Sequence, residues 1–185
     1  MRIILLLSLL IAGCSSQPVT APEIYLLRSA AAQAPQATAL APPQVGLAAV
    51  TVADYLDQPG LVLETDSGTL HRARQHLWAE PLRTSLLRFM ANEVGTALQA
   101  PVAVGALVQQ ELPQISIRID QLHGSNDGAA VLVAYWEYAA VDGAIQSYRF
   151  TRQQALADDG YAALVAAEKS LLIQLAEAIA AALEG

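Results

Sequence analysis

A single cysteine limits what this chain can fold into. Cys14 is the only cysteine among 185 residues, so no intramolecular disulfide can brace the fold. The residues in front of it make that limit matter. Arg2 supplies one positive charge, Ile3 to Ile11 form an apolar run broken only by Ser8, and Ala12-Gly13 place small residues just before Cys14. This order is the pattern of a cleavable export signal. A spanning helix needs about 20 apolar residues, and Ser15-Ser16-Gln17-Pro18 ends the run well short of that. Disulfides are the usual brace in an oxidising compartment, so an exported domain without one must be held by its hydrophobic core.

The segment Leu10-Ile11-Ala12-Gly13-Cys14 resembles a bacterial lipobox. That resemblance implies cleavage before Cys14 and a diacylglyceryl group on its thiol, which leaves no free thiol for catalysis. The chain then divides into a signal peptide (1–13), a lipidated tether (14–22) and a domain (23–185). Each buried methylene contributes about 0.8 kcal/mol, and two or more acyl chains make anchoring stable. The tether reaches roughly 30 Å when extended at about 3.3 Å per residue, so the domain stays near its membrane. Ser15, rather than Asp, follows the cysteine. In Gram-negative lipoproteins this resembles cargo sent on to the outer membrane, lipid-anchored on its periplasmic face.

Charge narrows the partners. Ten basic and seventeen acidic residues give −7, which becomes −8 when Arg2 leaves with the signal peptide. Lys169 is the only lysine. Nucleic-acid affinity rests on phosphate neutralisation, and anionic lipid surfaces attract basic clusters; this chain has none to offer. Its membrane connection runs through the acyl group of Cys14.

The pattern along the domain alternates between two periods. Ile24 to Leu27 reads as a first strand, and Arg28 to Gln44, with Pro35, Pro42 and Pro43, as a mobile loop. Val45 to Leu56 is β-branched and predicts a strand ending in a Tyr-Leu-Asp corner. Leu61 to Glu64 and Leu70 to Arg74 flank Asp66-Ser67-Gly68, a hairpin signal. From Trp78 to Leu98 apolar residues recur at three- and four-residue steps, which predicts a helix, with Pro81 in its first turn. Ile115, Ile117 and Ile119 alternate with Ser116, Arg118 and Asp120, the mark of a half-buried strand. The turns Gly124–Gly128 and Asp142-Gly143 then join it to two further strands in an antiparallel meander. Asp158-Asp159 is placed to cap a final helix from Tyr161 to Leu183. The expected architecture is α+β: one two-layer domain, a mostly antiparallel sheet with two long helices on one face.

Catalytic patterns are weak. His71, His76 and His123 have no metal-ligand spacing, so no metal or cofactor is expected. A spatial Ser-His-Asp arrangement stays open, although no Gly-x-Ser-x-Gly elbow occurs. Aromatic residues are the better candidates. Tyr55, Trp78, Tyr135 and Trp136 belong to the types that dominate interfaces when exposed. Tyr135 and Trp136 are neighbours, so in a strand they face opposite sides and one of them should leave the helix-covered core. The expectation is that these four residues border a partner-binding surface.

The order of these motifs resembles the ABC-type transport auxiliary lipoproteins, the PqiC/YmbA-like group. The resemblance is carried by the lipobox, Tyr25-Leu26-Leu27, Val52-Ala53-Asp54-Tyr55-Leu56-Asp57, Leu61-Val62-Leu63, His76-Leu77-Trp78-Ala79-Glu80-Pro81-Leu82, and Ile115-Ser116-Ile117-Arg118-Ile119. Two departures are the long Ala/Pro-rich loop Ser29 to Pro43 and Gln58-Pro59-Gly60, where such proteins often carry a basic residue. The resemblance implies a non-enzymatic partner in lipid traffic between two membranes, working with an MCE-domain protein and sometimes with ABC transporter subunits. Phospholipid contact and homo-oligomeric rings are compatible with that role, but no residue pattern sets a stoichiometry. Two rivals remain: an outer-membrane assembly or structural lipoprotein, and a tethered periplasmic hydrolase using the histidines.

Overall fold

The computed structural model describes residues 21–30, 41–66, 68–105 and 111–184. The expected signal peptide, Cys14 and the tether up to residue 20 lie outside the described residues, as do 31–40 of the expected loop. Among the described residues, eight strands and two helices follow in the order β1 (Glu23–Tyr25), β2 (Val45–Val52), β3 (Gly60–Glu64), β4 (Leu70–Trp78), α1 (Leu82–Ala97), β5 (Val102–Val104), β6 (Gln114–Gly124), β7 (Ala129–Ala139), β8 (Ile145–Ala155) and α2 (Tyr161–Glu184).

Strand β6 organises the sheet. Its alternation places Ile115, Ile117 and Ile119 in the core while Ser116 and Arg118 face outward. One edge pairs antiparallel with β7 along nearly the whole strand, from Gln114↔Ala139 to Gly124↔Ala130. The other edge is divided. Its first half pairs in parallel with β2, from Gly46↔Gln114 to Val52↔Ile119, and its last residue meets β3 at Leu63↔Gly124. A single 3-10 turn, Asp54–Leu56, fills the gap between them. There the Ala53 N–H donates to the Ile119 carbonyl at 2.9 Å, and the Tyr55 hydroxyl donates to the Asp120 carbonyl at 3.1 Å. The sheet therefore forks into an arm of β2 and β5 and an arm of β3, β4 and β1.

The expected meander is present. The Gly143 N–H donates to the Ala140 carbonyl and the Ala140 N–H to the Ala144 carbonyl, closing the β7–β8 hairpin. Gly143 sits at φ 88°, where a side chain would be strained. The β3–β4 hairpin also forms, with the Thr65 N–H donating to the Thr69 carbonyl at 2.8 Å. Four other pairings are parallel: β1–β4, β2–β5, β2–β6 and the short β3–β6 contact.

Both helices cover one sheet face. Helix α1 packs on β2 and β5, and α2 on β6, β7 and β8. Ala130 and Ala134 of β7 are fully buried, and their small size lets α2 approach. Leu164 of α2 lies against Gly124, while Leu171, Leu172, Leu175 and Ile179 continue the buried stripe beside Leu86, Phe89 and Met90 of α1. Each such side chain contributes about 1.5–3 kcal/mol on burial, which is how a disulfide-free core holds. Among the described residues, no helix is long and apolar enough to cross a membrane.

Three details differ from the sequence pattern: where α1 starts, how α2 is capped, and a short added strand. Residues 78–81 do not open α1. Trp78 ends β4, with its N–H on the Pro59 carbonyl at 2.7 Å and its Cα opposite Tyr25, so pairing outweighs helical periodicity. Asp158 accepts from the Asp159 N–H instead of capping α2. Gly160, at φ 99°, precedes the helix, and its carbonyl accepts from the Leu164 N–H at 3.1 Å. Strand β5, three residues long, is too brief for any alternation to reveal.

Gly60 opens β3 where the ladder to β4 shifts register, and a Cβ there would run into the Ala73 carbonyl oxygen. Gly60→Ala is expected to cost about 1–3 kcal/mol by overpacking. Urea unfolding measures it, and an unchanged midpoint would refute the close approach.

Candidate functional site

The sheet face away from the helices carries the polar side chains of β6, β7 and β8. The pairings align two rows across four strands. One runs Thr51, Arg118, Tyr135, Arg149, and the other Ala49, Ser116, Glu137, Ser147. Between them lies a shallow cleft of about 310 Å³. The Arg118 Cζ stands 4.8 Å from the Tyr135 ring centre and the Arg149 Cζ 5.9 Å. Stacking on an aromatic face orients a guanidinium while leaving its fork free to meet an anion. The Arg118 Nε donates to Asp120 Oδ1 at 2.9 Å, and Asp120 also accepts the Tyr55 hydroxyl through its carbonyl.

The four aromatic candidates divide. Tyr135 is half-buried in the cleft. Trp136 turns to the helix side, 3% exposed, with its ring stacked on Tyr148 at 3.9 Å and 7°. One of the pair does leave the helix-covered core, and it is the tyrosine. Trp78 is 8% exposed and belongs to the core, beside the ion pair from Arg83 to Asp57 at 3.1 Å. Tyr55 is half-buried against His123 in an edge-on contact of 6.4 Å. Burial pushes its phenol up to about 12. Tyr55 thus packs against the core and is linked to Tyr135 only through the β6 residues Asp120 and Arg118, while both tryptophans look inward. Arg118, Arg149 and Glu137 were not singled out in the sequence. Arg118 was visible in the β6 alternation, but Arg149 joins it only through register.

The histidines stand apart. His71 is exposed. His76 stacks on Tyr161 at 4.0 Å, its Nδ1 3.5 Å from Glu23 Oε2. The Tyr25 hydroxyl donates to the same carboxylate at 2.6 Å. Burial and then that Glu23 bond push the Tyr25 phenol up to about 12. His123 is 4% exposed, its Nδ1 3.1 Å from the Gly124 carbonyl. Among the described residues no group of three or more His, Cys, Asp or Glu is arranged to hold a metal.

One carboxylate is out of place. Glu168, on the sheet-facing side of α2, is 1% exposed, and its Oε2 has no hydrogen-bond partner among the described residues. Desolvation pushes this carboxyl up from 4.5 to about 8.

A family model described as ABC-type transport auxiliary lipoprotein component matches residues 25–180. No curated protein matches the chain. Among solved structures, the crystal structure of an uncharacterized protein is similar, with a TM-score of 0.76 and 22% identity over 89% of this chain and 99% of the other. A Xanthomonas campestris protein of family DUF330 follows at 0.63 and 18%, over 85% and 92%. These two likenesses show the fold. A PelC dodecamer from Paraburkholderia phytofirmans gives 0.43 and 19%, over 77% and 92%, too distant for its assembly to bear on this chain.

Two predictions follow from the geometry. Trp136→Ala should cost about 3–5 kcal/mol as a buried aromatic truncation, whereas Tyr135→Ala should cost about 1 kcal/mol or less, the worth of exposed cation–π contacts. Equal losses in denaturant titrations would contradict the assignment of faces. For Glu168, the raised pKa means that the folded protein keeps a proton the unfolded chain has released. Stability should then fall as pH rises from 4.5 to about 8, by up to about 1.4 kcal/mol per pH unit. Glu168→Gln should flatten that slope in urea midpoints taken at intervals across the window. A variant that keeps the wild-type slope would place its origin elsewhere.

Proposed function

The chain belongs to the family of ABC-type transport auxiliary lipoprotein components, and from that membership we propose that it docks an intermembrane lipid transport system at the outer membrane. In this reading Cys14 carries the acyl anchor, the domain faces the periplasm, and the role is non-catalytic. The partner is an MCE-domain protein forming a tunnel between membranes, with ABC transporter subunits at its inner-membrane end.

The family match carries this reading, because it extends over nearly the whole domain. Other features support it. The leader before Cys14 has the order of a lipoprotein signal, and Ser15 agrees with sorting to the outer membrane. The face turned away from the helices presents Tyr135 with two arginines, residue types enriched at interface centres. Tyr55 is tied to β6 by its bond to the Asp120 carbonyl. Trp136 serves the face from behind by fixing β7, while Trp78 holds the end of β4.

A tagged pull-down from solubilised envelopes tests the role. An MCE-domain protein or ABC subunit should co-elute, and Tyr135→Ala should reduce its recovery. Cys14→Ala should remove the chain from the outer-membrane fraction. Stable outer-membrane fractionation with only assembly proteins recovered would replace this reading with a structural lipoprotein. Loss of function on replacing His71, His76 and His123 together would favour a hydrolase.

A further inference from the structure

The edges of the sheet are guarded unequally. Strands β1 and β5 have three residues each, whereas β8 has eleven and pairs with β7 alone among the described strands. Its ladder runs from Ala139↔Ile145 to Ala129↔Ala155 without a shift of register. It contains no proline, and none of its residues is buried. Short strands, bulges, prolines and charged side chains are the devices that close an edge. Of these β8 uses charge alone.

The register shows which backbone groups are open. The Ala140 N–H donates to the Ala144 carbonyl and, at the far end, the Leu156 N–H to the Gly128 carbonyl. Bonded and non-bonded pairs alternate along an antiparallel ladder, so the even-numbered residues of β8 give their backbone groups to β7. Ser147, Arg149, Thr151 and Gln153 turn theirs outward, to a side on which no described strand lies.

The charge on this edge has one sign. Residues 145–155 hold Arg149 and Arg152 and no carboxylate, and neither arginine has an ion pair among the described residues. Arg149 leans on Tyr135 of the polar face and Arg152 on Phe150 of the helix face. A strand laid alongside therefore meets a guanidinium on either side. Tyr148 and Phe150, half-buried, offer apolar surface between the charges. Asp127 and Glu137 stand behind the ends of β8, at Gln153 and Ser147. An added strand would lie about 4.8 Å from β8 and about twice that from β7, so the arginines dominate what it meets. A second copy is the wrong occupant, because two β8 strands paired antiparallel gather four arginines and no carboxylate from either strand. Like charges across a ladder repel and opposite charges attract.

We propose that the open edge of β8 takes up an extended acidic segment of a partner protein as a further strand of the sheet. Backbone bonds supply the affinity, and the arginines select the sequence. This goes beyond the docking role and does not depend on it, since a peptide tests the edge with no envelope protein present.

The test uses the full lipidated chain in maltoside micelles and a capped ten-residue peptide carrying glutamates among valines and threonines. Its twin has lysine in place of glutamate. The glutamate peptide should bind saturably and at least tenfold tighter than the twin. At saturation, amide exchange followed by NMR should slow at Ser147, Arg149, Thr151 and Gln153, while Tyr148, Phe150 and Arg152 are protected with or without peptide. Thr151→Pro removes an outward N–H and should weaken binding tenfold or more. The double variant Arg149→Glu, Arg152→Glu should reverse the preference between the peptides, and it decides the matter if the proline variant does not fold. Absence of saturable binding, equal affinity for the twin, or protection confined to other residues each overturns the proposal. So does a concentration-dependent dimer of the chain that protects these same four amides, which would give the edge to a second copy. Failed peptide binding with the envelope partner still recovered removes the edge alone. Peptide binding with no transport partner recovered removes the docking role and leaves the edge.

Discussion

Everything in this fold hangs on one strand with two different edges. β6 gives nearly its full length to β7 on one side and shares the other between β2 and β3. Its isoleucines fill the space under the helices, and because the side-chain period is two, the same register fixes which polar groups reach the opposite face. A slip of one residue would expose Ile115, Ile117 and Ile119 and bury Arg118. The hydrophobic demand of the core therefore sets the geometry of the polar cleft, without any disulfide among the described residues to help.

The shift of register in β6 near Asp120 has a comparable reach. Ile119 pairs with Ala134 while Gln121 pairs with Val133, so Asp120 is the extra residue of a bulge. Bulges re-aim side chains, and here the carboxylate turns to Arg118 while the carbonyl takes the Tyr55 hydroxyl. One irregular residue thereby connects the Tyr-Leu-Asp corner to the strand that builds the cleft.

Much of this was legible beforehand, for local reasons. The Asp-Gly turn, the alternating isoleucines and the two helical stripes are patterns written within a few residues of each other. The parallel ladders were not legible, because nothing near Val45–Val52 states that it will lie beside Gln114–Ile119. Trp78 fitted the helical stripe and was claimed instead by strand partners at Tyr25 and Pro59. At the site, the parity of Tyr135 and Trp136 followed from their adjacency alone. Which of the two would face the helices depended on pairing with Ile117, and the company of Arg149 depended on β8.

The placement of the two tryptophans has an optical consequence. Trp78 sits at the end of β4, in the arm that also holds β3 and β1, and Trp136 sits in the meander stacked on Tyr148. They are the chain's only indoles, and both are shielded from water. Their emission should be blue-shifted while the fold is intact; Trp78 reports on the limb of β3, β4 and β1, and Trp136 on the unforked meander. The molecule thus carries two native fluorophores that can tell a concerted collapse of the sheet from the fraying of one limb.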